Sequence, residues 1–274
     1  MGTNRSDDRV AGKGLRIGVI GGAGWLGGAI AEAVLDASVA SPEDLALSYR
    51  SQRPDRFPGA FWTTDNQALA DRSDIIILSV RPADWASLKI DAADKLVVSV
   101  MAGIRLEALC AQHNTRRAVR TLPNAAVEAR KSYTPWIATR DTGEAERATV
   151  RMIFDACGVQ DEVRSEADID YLTGLTGSGP AFPALLAAAM MMDAIAHGLD
   201  RDVARRAVNT VLVGTGRLLE QRDDCPADTV KTFLDYRGTT AAAIETMRTA
   251  GFDAAVARGL TAAFEKSVRM GEPV

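Results

Sequence analysis

The sequence predicts an α/β domain with a parallel sheet covered on both faces, followed by an all-α domain. Two observations predict this fold class. Short apolar runs of strand length alternate with helical patterns up to about residue 164, and long alanine-rich helical segments follow. With 47% hydrophobic and 25% charged residues, the 274-residue chain has the composition of a soluble globular protein with a sizeable core.

The strand candidates of the first domain are near-continuous apolar runs separated by helices, which is typical of parallel sheets buried on both faces. They lie at 15–20, 44–49, 60–64, 74–80, 95–100 and 117–121. Residues 133–139 and 158–163 are expected to add edge strands, with a helix over 143–157 between them. We expect a flexible leader at 1–14, a first domain at 15–164 and a helical domain at 165–274.

The second domain is predicted to consist of long helices at 179–198, 200–221, 239–251 and 253–270. Pro180 and Pro183 stand near the start of the first of these, where proline is tolerated, and Gly198 is a suitable C-terminal cap. These helices are rich in alanine and apolar on more than one face. We therefore expect a dimerisation domain that forms a homodimer or a higher homo-oligomer; tight packing within one chain is the alternative.

The charge and cysteine content exclude several classes of function. A net charge of −4 gives no electrostatic reason to expect nucleic acid or an acidic membrane as a partner. The three cysteines are widely spaced and odd in number, which favours neither a disulfide framework nor a metal site. No apolar run reaches roughly 18 residues, so we expect a cytoplasmic protein that is neither secreted nor membrane-spanning.

A glycine-rich loop follows the first predicted strand, in the stretch "VIGGAGWLGGAI" at 19–30. Gly22, Gly24 and Gly27 form the pattern G-x-G-x-x-G between a strand and a helix, which is the dinucleotide-binding fingerprint of the Rossmann type. In that reading Gly22 makes the tight turn, Gly24 lets the backbone reach the pyrophosphate, and Gly27 lets helix and strand pack closely. A tight turn without a ligand is the alternative.

The end of the second strand indicates which dinucleotide is bound. NAD sites carry an acidic residue about 20 positions after the glycines, to hold the ribose hydroxyls. Here the strand ends in "SYRSQR", with Arg50 and Arg53 in that region and Ser48 and Ser51 as hydroxyl donors. Because a guanidinium matches phosphate oxygens, the sequence favours NADPH, with NADH possible. A solvated basic loop is the alternative.

Several motifs together resemble the pyrroline-5-carboxylate reductase family, over nearly the whole chain from residue 15. They are the glycine loop, "SVRP" (79–82), "VVSVMAGI" (97–104), "RTLPN" (120–124), "DIDYLTGLTGSGPAF" (168–182) and "GTTAAAIETMRTAGFDAAV" (238–256). "LTGLTGSGPAF" is the most specific of them. The resemblance implies NAD(P)H-dependent reduction of a cyclic imine carboxylate to proline, by a Rossmann domain and a helical dimerisation domain.

The resemblance also implies roles for individual residues. Gly22, Gly24, Trp25, Leu26 and Gly27 would line the pyrophosphate, Arg50 and Ser51 would hold the 2′-phosphate, and Val80, Arg81 and Pro82 would border the adenosine ribose. Ala102 and Gly103 would lie at the nicotinamide, and Pro123 and Asn124 would close over the cofactor. Thr240 would be the catalytic hydroxyl at the imine nitrogen, in a substrate loop of Asp235, Arg237, Gly238, Thr239 and Thr240.

The scarcity of acid–base residues agrees with imine reduction, because a cyclic imine is easily protonated in water. His113 in a polar turn and His197 beside a helix-ending glycine are the two histidines of the chain, and we expect structural or surface roles for both. What the reaction needs is a well-placed cofactor and a polar group at nitrogen. A threonine at a helix start meets the second need, and neighbouring N–H groups can hold a carboxylate.

The chain departs from the family pattern at three places. One extra glycine precedes the loop, so that Gly21 and Gly22 stand where the family has one. "LPNAA" replaces Met-Pro-Asn-Thr-Pro, and Asp235-Tyr236-Arg237-Gly238 replaces Ser-Pro-Gly-Gly before the two threonines. Asp235 would repel a substrate carboxylate if it pointed inward, and Arg237 could offset this by pairing with Asp235 or by gripping the carboxylate.

The altered loop leaves two alternatives to pyrroline-5-carboxylate reduction. One is a reductase of a related cyclic imine, and the other is a non-catalytic NADPH-binding regulatory paralogue. A hydroxyacid dehydrogenase of similar architecture would carry an inward lysine on the long helix after the Rossmann domain. The run at 177–198 contains no lysine, which argues against that third reading.

Overall fold

The computed structural model describes residues 14–221 and 225–271. Most of the predicted leader, residues 1–13, lies outside the described residues. The chain divides into two compact units, the first reaching Gly177 and including the residues from Phe264 onwards, the second covering Ser178–Ala263. The domain boundary expected between residues 164 and 165 stays a prediction.

Eight strands form one sheet in the first unit. They are β1 (Ile17–Ile20), β2 (Leu45–Ser48), β3 (Phe61–Thr63), β4 (Ile75–Leu78), β5 (Leu96–Ser99), β6 (Arg117–Thr121), β7 (Ser132–Ala138) and β8 (Gly158–Glu162). Their order across the sheet is β3-β2-β1-β4-β5-β6-β7-β8. The strand order reverses between β1 and β4, and in open α/β sheets ligands bind at the carboxyl ends of the strands beside such a point.

The last part of the sheet differs from the expected parallel sheet with two added edge strands. β7 runs antiparallel to β6 and parallel to β8, so it is an interior strand, and β8 alone of the two lies at an edge. Trp136 shows why β7 is interior. It pairs with Thr121 on one side and Glu162 on the other, and its side chain is fully buried.

Helices cover both faces of the sheet, because consecutive strand residues point to opposite sides. Val19 and Ile77 pack in one core cluster with α1 (Trp25–Asp36) and α4 (Glu144–Asp155). Ile20 and Ile76 pack in a second cluster with α2 (Asn66–Arg72) and α3 (Leu106–His113). The central strands β1 and β4 are therefore apolar throughout, which is why their positions could be read from the sequence.

A buried ion pair joins the sheet to α5 (Glu166–Leu172), the helix that follows β8. Arg120, on β6, donates from Nη2 to Asp170 Oδ1 at 2.5 Å and from Nη1 to Glu166 Oε1 at 3.1 Å. The side chains of Arg120 and Asp170 are 1% and 4% exposed. Separating the two partners of such a pair would leave an uncompensated buried charge, which is costly. Each partner therefore fixes the position of the other. The pair connects the "RTLPN" and "DIDYLTGLTG" motifs.

The remaining helices are α6 (Ala181–Ala196), α7 (Arg201–Glu220), α8 (Pro226–Asp235), α9 (Thr239–Thr249) and α10 (Phe252–Met270). From Phe264 onwards α10 belongs to the first unit. Helix α8 was not predicted, since no element was assigned from the sequence to residues 226–234. Pro226 stands in its first turn, where the missing N–H costs nothing, and Asp235 is its last residue.

The helical stretch 166–196, which includes α5 and α6, is long and apolar enough to cross a membrane by length and composition alone. The sequence holds no unbroken apolar run of about 18 residues. Here a few polar residues interrupt the apolar ones, but the mean hydropathy of the stretch stays high. None of its most apolar window is buried. Leu185 and Met192, on α6, are each 73% exposed.

Candidate functional site

A cavity of about 520 Å³ opens at the carboxyl ends of β1, β2 and β4, beside the point where the strand order reverses. All of its lining residues belong to the first unit. Five of the predicted cofactor residues line it, namely Gly24, Arg50, Ser51, Val80 and Arg81. Dinucleotides bind at this position in open α/β sheets.

The glycine loop begins with Gly21 rather than Gly22 as its tight-turn residue. Gly21 has a φ of +85°, and an added Cβ would lie 2.2 Å from the carbonyl oxygen of Ser79. Gly22 has no positive φ, although Leu47 and the Val19 carbonyl leave its Cβ position little space. The tight turn assigned from the sequence to Gly22 therefore belongs to Gly21, and the extra glycine is the residue that the turn requires.

The third glycine of the pattern lets α1 approach the end of β1. An added Cβ on Gly27 would lie 2.5 Å from the carbonyl oxygen of Gly21 and 3.2 Å from Cβ of Ser79. The intrahelical hydrogen bonds begin with Gly28 N–H donating to Gly24 at 2.9 Å, and no side chain caps the N-terminus of α1. The first N–H groups of α1 are therefore available for an anion, as a pyrophosphate requires.

The end of the cavity away from the glycine loop carries two arginines and one carboxylate. Arg50 follows β2, and its Nη2 donates to Asp84 Oδ2 at 2.7 Å; Arg81 follows β4, and its Nε donates to the same oxygen at 3.0 Å. The arginine side chains are 71% and 74% exposed, and that of Asp84 is 24% exposed. The hydrogen bond from Arg81, and then that from Arg50, lowers the pKa of Asp84, so the carboxylate is ionised at neutral pH.

Residues of the cavity lining that were not predicted from the sequence include Asp84, Thr64 and Asn66. Asp84 was missed, although an acid three residues after Arg81 within the 3₁₀ turn of residues 82–87 is a signal for an ion pair. Thr64 and Asn66, which follow β3, also line the cavity. Ser48 was expected to be a hydroxyl donor for phosphate. Its buried Oγ accepts the Gly21 N–H at 2.9 Å and so shapes the loop, and Ser48 also lines the cavity, so its donor role stays a prediction.

Other predicted cofactor residues lie outside the cavity lining: Gly22, Trp25, Leu26, Gly27, Pro82, Ala102, Gly103, Pro123 and Asn124. Trp25 is the first residue of α1, and its indole N–H donates to the carboxylate of Glu128. Gly103 has a φ of +81°, and an added Cβ would lie 2.6 Å from the carbonyl oxygen of Met270. Gly103 is thus required where the end of α10 contacts the loop after β5.

Asn124 connects two of the family motifs within the first unit. Its Nδ2 donates to the carbonyl oxygen of Thr176 at 2.9 Å, and its Oδ1 accepts the Ala126 N–H at 2.9 Å. Thr176 lies in a π-helical turn over 173–177, and Gly177 ends that turn against Leu122. The "LTGLTG" segment therefore positions the loop that carries Pro123 and Asn124. Such π-helical turns occur frequently at functional sites.

The predicted substrate loop lies in the second unit, between α8 and α9. Gly238 is the N-cap of α9, and Thr239 and Thr240 form its first turn without a side-chain cap. Asp235 is paired with Lys231 on α8, with Nζ 2.5 Å from Oδ2, which neutralises the carboxylate without Arg237. Arg237 has a φ of +53°, in the left-handed region where the family pattern places a glycine.

The two histidines have structural surroundings. His113 is the last residue of α3 and fully buried, not in a polar turn, and its ring meets that of Trp85 edge-on with centroids 5.0 Å apart. Burial lowers the pKa of His113, so the ring is neutral. His197 follows α6 and is exposed, with Nδ1 3.0 Å from the carbonyl oxygen of Asp193. Among the described residues, no group of three or more His, Cys, Asp or Glu is placed to hold a metal ion.

Comparisons with known proteins match both units. Residues 16–103 match the family described as NADP oxidoreductase, coenzyme F420-dependent, and residues 166–270 match the family described as pyrroline-5-carboxylate reductase dimerisation. A pyrroline-5-carboxylate reductase from Synechocystis is 28% identical to this chain over 270 residues, with 94% of this chain and 99% of that protein covered.

Solved structures of similar fold cover nearly the whole chain. A pyrroline-5-carboxylate reductase from Coxiella burnetii has a TM-score of 0.87 at 23% identity, with 95% of this chain and 100% of that chain covered. A pyrroline carboxylate reductase from Plasmodium falciparum, solved with NADP bound, has a TM-score of 0.82 at 22% identity, with 94% and 98% covered. The fold of both units is thus shared with these proteins.

The packing of Gly27 against Gly21 leads to a first prediction. Gly27→Ala places a methyl group against a backbone carbonyl that cannot move without opening the loop, so we expect a loss of about 2 kcal/mol in the free energy of unfolding and a weaker affinity for NADPH. Urea denaturation and a fluorescence titration with NADPH measure the two effects.

The matched control is Gly214→Ala, since Gly214 lies within α7 and no atom stands within 4 Å of its Cβ position. That substitution should stabilise the protein by up to about 1 kcal/mol and leave NADPH affinity unchanged. Unaltered stability and NADPH affinity in Gly27→Ala would contradict the role assigned to this close contact.

Proposed function

We propose that this chain, as a member of the pyrroline-5-carboxylate reductase family, uses NADPH to reduce 1-pyrroline-5-carboxylate to L-proline. The structural observation that carries the proposal is the cavity at the carboxyl ends of β1, β2 and β4, with Arg50, Ser51 and Arg81 in its lining. Guanidinium groups at the end of β2 suit a 2′-phosphate, whereas NAD sites carry an acid there.

The described residues fit the pyrophosphate and the adenosine phosphate of the cofactor. The uncapped first turn of α1 and the close-packed glycines suit the pyrophosphate, and the two arginines suit the adenosine phosphate. When bound, NADPH supplies a hydride to the imine carbon of the substrate. We assign Ala102 and Gly103 to the nicotinamide side and Pro123 and Asn124 to the closing loop, as the resemblance implies.

The substrate part of the proposal rests on α9. Thr240 would present its hydroxyl to the imine nitrogen, and the free N–H groups of the first turn of α9 would hold the carboxylate. No strong acid is needed, since a cyclic imine is protonated in water. The pairing of Asp235 with Lys231 supports this role for the loop. Lys231 balances the charge of Asp235, so Arg237 keeps its positive charge for a substrate carboxylate at the N-terminus of α9.

The function is tested by incubating the protein with NADPH and 1-pyrroline-5-carboxylate, beside a six-membered piperideine carboxylate. We expect NADPH oxidation with the five-membered ring to produce proline in equal amount, and NADH to be the poorer donor. Faster turnover of the six-membered ring would favour the related-imine reading instead. NADPH binding without turnover of either ring would support a regulatory paralogue.

Thr240 and Arg237 should affect different kinetic constants. Thr240→Val removes a hydrogen bond made to the reacting nitrogen, so we expect kcat to fall at least about tenfold. Arg237→Ala removes a charge-assisted contact to the carboxylate, so KM for the imine should rise about tenfold with kcat little changed. Steady-state kinetics with saturating NADPH separate the two.

Arg248→Ala is the matched control, since Arg248 is an exposed arginine in the last turn of the same helix. It should change neither constant. An Arg237→Ala variant with the KM of the parent protein would exclude the carboxylate-gripping role of Arg237. Its left-handed φ would then be a strain of about 1 kcal/mol without a binding role.

We also propose that the protein is a homodimer in the cytoplasm. The dimerisation family matches the residues that include α6, no residue of α6 is buried, and large apolar side chains such as Leu185 are exposed there. A second copy of the chain is the partner that this match favours over a bilayer. All three cysteines are free, which suits a reducing compartment.

The dimer is tested by the mass of the particle in solution. Leu185→Glu combined with Met192→Glu puts two charges on the apolar surface of α6, so we expect the mass to fall from twice that of the chain to that of a monomer. Met152→Glu, on α4 in the first unit, is the control and should stay dimeric; Met152 is 49% exposed. A parent protein that sedimented as a monomer would contradict the proposal.

A further inference from the structure

One acidic residue lies among the basic residues of the candidate cofactor cavity. Asp84 stands in the 3₁₀ turn after β4 and lines the cavity together with Arg50 and Arg81. It accepts hydrogen bonds from both arginines: Arg50 Nη2 at 2.7 Å and Arg81 Nε at 3.0 Å reach Oδ2, and Arg81 Nη2 at 3.3 Å reaches Oδ1. The two guanidinium groups are thus held by one shared carboxylate.

We propose that Asp84 is a specificity-determining residue that lowers the preference of this site for a phosphate over a hydroxyl on the adenosine ribose. The inference rests on the proposed function and deepens it. NAD sites place an acid at the end of the second strand, and here that position is basic. The structure instead brings an acid into the same cavity from the turn after β4.

The charges explain the direction of the effect. A 2′-phosphate carries a charge of about −2, and the two arginines alone would balance it. Asp84 adds a negative charge within hydrogen-bond distance of both guanidinium groups, so a bound phosphate faces a neighbouring carboxylate and arginines that are already engaged. A ribose hydroxyl has no charge and can donate a hydrogen bond to a carboxylate, so NADH is not penalised in this way.

The exposure of the arginines keeps the site open to phosphate. Their side chains are 71% and 74% exposed, and each retains N–H groups that Asp84 does not occupy. Asp84 therefore reduces the affinity for the phosphorylated cofactor without abolishing it. The same carboxylate raises the pKa of Arg81 through their hydrogen bond, so neither partner loses its charge near neutral pH.

The test compares NADPH and NADH binding to the parent protein and to Asp84→Asn, by titration calorimetry without substrate. Asn keeps the size of the side chain and removes its charge, so we expect the ratio of NADPH to NADH affinity to rise about fivefold. The increase should shrink as salt is added, because the two arginine side chains are exposed. The fragments 2′,5′-ADP and 5′-ADP should show the same change, since they lack the nicotinamide half.

Two further variants make the result specific. Asp84→Ala also removes the hydrogen bonds to the arginines, and the affinity ratio should rise in it as well. Asp36→Asn is the matched control, because Asp36 pairs with a half-buried arginine, Arg130, at 2.5 Å, and both residues lie outside the cavity lining. Its affinity ratio should equal that of the parent protein.

The outcomes separate this inference from the function on which it rests. If the parent protein binds both cofactors and Asp84→Asn leaves the ratio unchanged or lowers it, Asp84 orders the arginines for phosphate or has no effect, and the inference is wrong while the function stands. If the parent protein binds neither cofactor, the proposed function fails and the inference fails with it.

Discussion

The close contact between Gly27 and the carbonyl oxygen of Gly21 is the constraint on which the site depends. It brings the N-terminus of α1 to the end of β1, with a Cβ position only 2.5 Å from the oxygen, so a residue larger than glycine fits there only if the helix or the loop shifts. The helix then presents its uncapped N–H groups at the edge of the sheet where the strand order reverses. Ser48, by accepting the Gly21 N–H, ties the same loop to β2.

A second, buried constraint fixes the other side of the first unit. Arg120 and Asp170 form an ion pair in which both side chains are almost fully enclosed, so β6 and α5 cannot shift independently. From α5 the chain continues into the π-helical turn, whose Thr176 carbonyl accepts the Asn124 amide. The family motifs at 120–124 and 168–177 are therefore in direct contact, although about fifty residues separate them in the sequence.

Much of the fold could be predicted because the central strands β1, β2, β4 and β5 are buried on both faces. Six apolar runs became β1 to β6 close to their expected bounds, and the fold class is confirmed. The direction of β7 could not be predicted, since composition does not record which neighbour a strand pairs with. Helix α8 was not predicted from the sequence, and the burial of His113 depends on Trp85, a contact that no local pattern shows.

The candidate site could be predicted in part for similar reasons. The glycine pattern and the arginine after β2 are local signals, and the structure brings Gly24, Arg50, Ser51, Val80 and Arg81 to one cavity. The tight-turn role of Gly21 depends on Ser79, more than fifty residues away, and the pairing of Arg50 with Asp84 spans 34 positions. Such long-range contacts exist only once the sheet has formed.

The most direct test of the account follows the hydride itself. NADPH deuterated at the transferable position of its nicotinamide is incubated with the protein and 1-pyrroline-5-carboxylate, and the proline formed is analysed by mass spectrometry. We expect one deuterium on C5, the former imine carbon, in every molecule of proline. Bound NADPH that yields no labelled proline would contradict the account, because the chain would then hold the cofactor without reducing the imine.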